Sequence, residues 1–319
     1  MGIKLILFFG AIILFSSCNQ ELTKIEKIYD NGEKYVYHID KDSLKQGTVL
    51  KYYANGNINY KAIYSNDKKV DSTIFFYESK ANQIEIIAYH KPNNYYYHKD
   101  FKPNGIMYQE GLKTNTHEKT GKWKYYDTLN GELDYIKEFK IIKGKRYLNQ
   151  GWHFAVTGDT INDGSNMRYK PTKANIKLGD SIRLWFQAGV PFISETDSDY
   201  KVTIPKDFEK ENFDREFTNT DSYDPEKGIP FAIKKSLKHD DTYPIDKAKI
   251  DTTLHRETVL FYIKPTKVGK DTIRGWFTEY IDRSNVTFKD TSMYYVNRNI
   301  YFDIPIEVSA KPMKRQKKQ

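Results

Sequence analysis

The stretch Tyr52-Tyr53-Ala54-Asn55-Gly56-Asn57-Ile58 decides the fold, because an Asn-Gly pair set between aromatic and β-branched residues is the strongest short-range hairpin signal. It recurs as Tyr29-Asp30-Asn31-Gly32, as Phe101-Lys102-Pro103-Asn104-Gly105-Ile106-Met107, and as Tyr125-Tyr126-Asp127-Thr128-Leu129-Asn130-Gly131-Glu132-Leu133. The four glycines lie 24, 49 and 26 residues apart. Phe76-Tyr77-Glu78-Ser79-Lys80-Ala81-Asn82-Gln83-Ile84 fills the long interval, with Gln83 where glycine belongs, and restores a period of about two dozen residues. The expected turn is type I′, whose two central residues both need positive φ, a conformation that Asn and Gly tolerate. One hairpin alone is marginal in water, so the copies are expected to stack into an elongated sheet.

Beyond the repeats the period of two continues. Ile182, Leu184 and Phe186 alternate with Arg183, Trp185 and Gln187; Val259, Phe261 and Ile263 alternate with Leu260 and Tyr262; Ile300, Phe302, Ile304, Ile306 and Val308 follow near the end. Pro305 inside that last run argues for an edge strand or a bulge, since it has no N–H to give a ladder. Turn signals at Lys177-Leu178-Gly179-Asp180 and Pro265 to Asp271 separate the strands. The segment Glu195 to Phe231 has poor periodicity and is expected to be an elaborated loop, with a short helix around Lys206 to Phe217. The fold class is therefore all-β, a stacked β-hairpin array followed by a β-sandwich. The boundaries expected are repeats over 29–150, a Gly/Asp/Asn/Thr-rich linker over 151–173 and the sandwich over 174–310.

The hairpins, together with Gly121-Lys122-Trp123-Lys124-Tyr125-Tyr126, resemble the variant MORN repeats of bacterial proteins, including those labelled YwqK-type antitoxins. That resemblance covers residues 29 to 147 and implies a scaffold for protein or lipid contact, with no catalytic residues to carry over. The second half loosely resembles the immunoglobulin-like modules of exported bacterial proteins, without their Cys pair.

The first residues set the address. Lys4 precedes an apolar run from Leu5 to Phe15, too short to span a bilayer as a helix and ending in small residues as export signals do. Leu14-Phe15-Ser16-Ser17-Cys18 resembles the lipobox of bacterial lipoproteins, which implies cleavage after residue 17 and acylation of Cys18, the chain's single cysteine. Residues 18–28 then form a tether, and the membrane is a partner through acylated Cys18, facing the periplasm or outer membrane. Five of the basic residues that give the chain its charge of +9 fall in 311–319, which reads as a solvated, disordered tail; a nucleic-acid partner is not expected.

The sequence carries no Gly-x-Ser-x-Gly elbow and no His-Glu-x-x-His, and no cofactor is expected. Glu195, Asp197 and Asp199 alternate as oxygen donors could around Ca²⁺, but without the glycine and terminal glutamate of a known calcium loop. The candidate binding surface is aromatic: Tyr95, Tyr96, Tyr97, Trp123 and Tyr125. The function expected is that of a non-catalytic envelope lipoprotein that binds a protein or glycan. The alternatives are an enzyme acting on glycan or peptidoglycan through carboxylates in 195–226, and an antitoxin- or immunity-like protein that neutralises a partner.

Overall fold

The computed structural model describes residues 21–142, 144–155, 157–171, 176–191, 198–205, 231–265, 267–282 and 295–310. The leader, Cys18, Glu195, Asp197, most of the 195–226 segment with its expected helix, and the 311–319 tail lie outside these residues. The chain is all-β and divides into two compact units, with the boundary in sequence between His90 and Lys91.

In the first unit, β1 (Thr23–Ile28), β2 (Lys34–Ile39), β3 (Lys45–Tyr52), β4 (Ile58–Ser65), β5 (Lys68–Phe76) and β6 (Ile84–Lys91) form an antiparallel meander in chain order. The second unit continues this pattern with β7 (Tyr95–Phe101), β8 (Met107–Lys113), β9 (Lys119–Tyr126), β10 (Leu133–Ile142) and β11 (Lys145–Phe154). Its sheet goes on through β12 (Thr160–Pro171), β14 (Ile182–Val190) and β17 (Thr258–Ile263). A separate curled sheet has the order β13 (Ile176–Lys177), β19 (Tyr295–Ser309), β18 (Gly269–Asp282), β15 (Asp199–Pro205), β16 (Phe231–Lys235).

The Asn-Gly turns form where expected, but they are not type I′. In each of the first three, one carbonyl accepts from the glycine N–H three residues on: Tyr29 from Gly32, Tyr53 from Gly56, Lys102 from Gly105. Only the glycine has positive φ (82°, 87° and 88°), so the loop is a type I turn closed by a glycine bulge. The asparagine serves through its side chain. Its Oδ1 accepts from the N–H two residues on, at 3.1 Å for Asn31, 3.0 Å for Asn55 and 3.0 Å for Asn104. Its amide also reaches the next repeat: Asn55 donates to the Glu78 carbonyl and Asn104 to the Thr128 carbonyl, at 3.0 and 3.2 Å. The copy without glycine uses Asn82 at φ 60° instead. The chain does make a two-residue turn with both φ positive, at Asn66 and Asp67, between the paired residues Ser65 and Lys68.

The expected linker over 151–173 is largely strand. β12 pairs with β11 through Thr160, Gly164 and Ser165, then with β14 from Asn166 to Pro171. Gly164 permits this, with φ 109° and the Gly151 carbonyl oxygen only 2.6 Å from where a Cβ would stand. Glycine and asparagine here mark a bulge in a strand that passes from the hairpins into the sandwich. Part of the expected 195–231 loop is likewise a strand, β15, because Tyr200, Val202 and Ile204 alternate inward with at most 2% exposure.

The second unit holds the main hydrophobic core, in a sandwich-like arrangement. Leu184 and Phe186 of β14, Val259 and Phe261 of β17, Val202 and Ile204 of β15, Ile273 and Phe277 of β18, and Ile300, Phe302 and Ile304 of β19 form one cluster. Phe186 stands 4.7 Å from Phe302 between ring centroids and is stacked on Phe261 at 5.9 Å. Pro305 pairs with Thr272 on one flank. Its other flank has no strand partner among the described residues, since β13 pairs only with Val308 and Ser309. The array is bolted to the curled sheet within this unit. Asn149, fully buried, donates to the Tyr301 carbonyl at 2.9 Å and accepts from the Tyr301 N–H at 2.8 Å; Arg298 donates to the Leu148 and Asn149 carbonyls and to the Tyr147 hydroxyl.

Candidate functional site

Strand alternation sorts the hairpin residues onto two faces, and antiparallel register lines them up across strands. In the second unit Asp100, Gln109, Tyr125, Tyr135 and His153 are successive cross-strand partners and so form one row over five strands. Tyr125 and Tyr135 stack at 4.5 Å, Tyr135 and His153 at 5.3 Å. Lysines cap the rings: Lys119 lies 4.8 Å from the Tyr125 centroid and Lys137 4.7 Å from that of Tyr135. The first unit has its own row, Tyr35, Lys51, Tyr60, Phe75 and Ile86, with Lys69 placed 5.7 Å from the Tyr60 centroid. The tyrosines and the phenylalanine of both rows are half-buried. The neighbouring row of small residues, Val49, Ala62, Thr73 and Ala88, is buried beneath their flanks.

At one end of the second-unit row lies a polar network. The Gln109 side-chain amide donates to Asp100 at 2.5 Å, and Lys119 donates to Gln109 Oε1 at 2.7 Å and to the Tyr125 hydroxyl at 3.0 Å. Asp100 and His98 are 4% and 7% exposed, with Oδ1 and Nδ1 at 3.6 Å and no hydrogen-bond partner for either atom among the described residues. Burial lowers the Lys119 ammonium from 10.5 to about 8; Asp100 opposes this, while Lys113, Arg146 and Lys137 reinforce it. Burial also pushes Tyr125 up to about 12.

The lysine shift has a measurable consequence. Below pH 8 the folded and unfolded chains both carry the charge, and the fold bears the full desolvation cost. Between about 8 and 10.5 the folded chain releases its proton first, so stability is expected to rise with pH across that window. Lys119→Met should remove this increment from denaturant unfolding measured as a function of pH. An unchanged slope in the variant would contradict it.

The five aromatic residues expected as a binding surface do not share one. Tyr96 and Tyr125 lie on the face of the row, Tyr96 stacked on His117 at 6.0 Å. Tyr95 and Tyr97 point to the opposite face. There Glu110 accepts from Tyr126 at 2.7 Å and lies 3.3 Å from Lys124. Burial raises the Glu110 carboxyl, but the hydrogen bonds of Tyr126, Tyr97 and Lys124 outweigh it and hold the group below its usual range. Trp123 has no exposed surface, so it is not a stacking platform: its indole covers Gly111 and donates to the Leu112 carbonyl at 2.9 Å. Composition did not single out Lys119, Tyr135, His153, Tyr60 or Phe75; spacing of two along each strand sorts them to a face, but the register that aligns them into a row is shifted by bulges.

Asp199 does not stand open for Ca²⁺. Its Oδ1 accepts from the Tyr200 N–H and the Ser236 hydroxyl, both at 2.8 Å, and its Oδ2 is paired with His239. Among the described residues no group of three or more potential metal ligands gathers, and no helix is long and apolar enough to cross a membrane.

No protein-family model and no curated protein matches the chain. Among solved structures it is similar to that of a Salmonella alpha-2-macroglobulin mutant, at 6% identity over 89% of this chain and 21% of that one, with a TM-score of 0.20. At that score the likeness carries no argument, and this chain spans about a fifth of the other's length.

Proposed function

We propose that the protein is a non-catalytic binding module of the bacterial cell envelope, tethered by acylated Cys18 and engaging a protein or glycan partner through its lysine-capped aromatic rows. What carries this is the row Gln109, Tyr125, Tyr135 and His153 with Lys119 and Lys137 over its rings. Rings fixed by cross-strand neighbours lose little freedom on binding, and half-buried tyrosines offer apolar contact together with a polar rim. The resemblance of the hairpins to variant MORN repeats, scaffolds for protein or lipid contact, agrees with such a role. The lipobox-like segment before Cys18 supplies the tether, since several acyl chains hold a membrane far better than one.

Affinity purification from gently solubilised membranes is expected to recover one stoichiometric protein or a defined glycan, and Tyr125→Ser should reduce that recovery at least tenfold. Cys18→Ala should move the protein to the soluble fraction. Continued sedimentation of this variant with membranes after a high-salt wash would refute the tether. Turnover of a cell-wall substrate with no partner recovered would refute the binding module.

A further inference from the structure

A cleft of about 610 Å³ opens on the face opposite the aromatic row; its lining includes Tyr95, Thr116, Glu118, Asp303, the Lys140 ammonium and the apolar Ile141. It lies within the second unit, where the turn between β8 and β9 and the ends of β9 and β10 come up against β19. Its volume falls in the range of small-molecule sites, about 300–1,000 Å³, but its lining is unlike the mainly apolar one usual for them. Hydroxyls, an amide, carboxylates and the Lys140 ammonium share it about evenly with apolar surface, which includes Ile141 and one aromatic ring.

The lining is held in place. Thr114 accepts from the Glu118 N–H at 3.1 Å and its hydroxyl bonds that of Thr116 at 2.9 Å, which fixes the turn presenting Asn115, Thr116 and Glu118. The carboxylates are charge-balanced. Asp303 bonds Lys140 at 2.6 Å and Arg274 at 2.8 Å, and Glu118 lies 3.9 Å from Arg146. A divalent cation would have to displace those partners, and an anion would meet carboxylates together with a Lys140 ammonium already neutralised by Asp303. A carboxylate offers about four acceptor positions, so Asp303 keeps capacity for hydroxyl donors after its two bonds. A ligand of many hydroxyls, each both donor and acceptor, matches this set, and the Tyr95 ring supplies the apolar face on which a sugar ring stacks.

We infer that this cleft is a binding site for a neutral oligosaccharide, with Tyr95 as its stacking residue and Thr116, Glu118 and Asp303 as its hydroxyl partners. The inference rests on the binding-module reading and names the glycan as the ligand class for a second face of that module.

The test uses the full acylated protein in a sugar-free detergent, with chitotetraose, cellotetraose and maltotetraose as probes in calorimetric titration. At least one of them is expected to bind with Kd below about 1 mM. Tyr95→Ala should weaken that binding at least tenfold and Thr116→Ala several-fold, whereas Tyr95→Phe, which keeps the ring, should retain it. Ile245→Ala, an exposed position that lines neither the cleft nor the row, should leave it unchanged. No binding of any probe at 10 times that concentration, or equal affinity in Tyr95→Ala, would overturn the cleft assignment, as would Ca²⁺ binding that Glu118→Gln abolishes. If no probe binds while partner recovery from membranes is retained by the wild type and lost in Tyr125→Ser, the binding module stands and the cleft alone falls.

Discussion

Replacing Trp123 by alanine is expected to cost about 3–5 kcal/mol, the usual range for emptying a fully buried aromatic site. The indole has 0% exposure in an array most of whose rings are only half-buried. Its place is prepared by Gly111, whose ideal Cβ would stand 2.4 Å from Trp123 Cδ2. Gly111→Ala should therefore destabilise as well, by about 1–3 kcal/mol through overpacking. The two effects are coupled, because the clash disappears with the indole. In a Trp123→Ala background Gly111→Ala should be close to neutral, giving an interaction energy at the upper part of the 0.5–3 kcal/mol range seen for residues in contact. Hydrogen exchange of amides in β8 and β9 reads this locally, so unfolding of the sandwich does not obscure it. Simple additivity of the two substitutions would show that Trp123 does not rest on Gly111.

Asn149→Leu should produce the other large loss. The residue is fully buried, bonds both backbone groups of Tyr301, and donates to Glu138 at 2.7 Å. Leucine matches its size roughly but removes all three bonds, and each buried polar group deprived of its partner costs about 1–3 kcal/mol. Tyr301 is 4% exposed, so water does not readily replace the asparagine. Protection of the Tyr301 amide should fall along with global stability. Lys140→Met is the contrast: its ion pair with Asp303 lies nearer the solvent, and its loss should cost no more than about 1 kcal/mol. Equal stability of wild type and Asn149→Leu would mean that the array and the curled sheet are held together by other contacts.

Hairpins and sandwich strands were legible because both depend on neighbours in sequence. Asn-Gly between aromatics marked four turns, and the alternation in Ile182 to Phe186, Val259 to Ile263 and Ile300 to Val308 marked strands that the structure places in the core. The turn class was not legible, because Asn before Gly suits both a type I′ turn and a type I turn with a glycine bulge; only the sign of φ at Asn31, Asn55 and Asn104 separates them. The strand over Thr160–Pro171 was hidden by the Gly and Asn that its bulge requires. Trp123 read as surface because its burial depends on Gly111, a cross-strand neighbour on the adjacent strand. Register decides such pairs, and bulges at Asp100/Phe101 and Glu110/Leu112 shift it in ways that composition does not reveal. The row from Asp100 to His153 escaped notice for the same reason.

The asparagine ties between successive turns also bear on the order in which the chain folds. Asn55 meets Glu78 and Asn104 meets Thr128, so each hairpin finds its stabilising partners within one repeat, where loop closure is fast and costs little entropy. Ile176, by contrast, pairs with Val308, and its sheet stays incomplete until the far end of the chain arrives. A chain that emerges N-terminus first, as it is synthesised, would zip its array hairpin by hairpin before its last strands appear. The sandwich would close last, as the latch on a ladder already built.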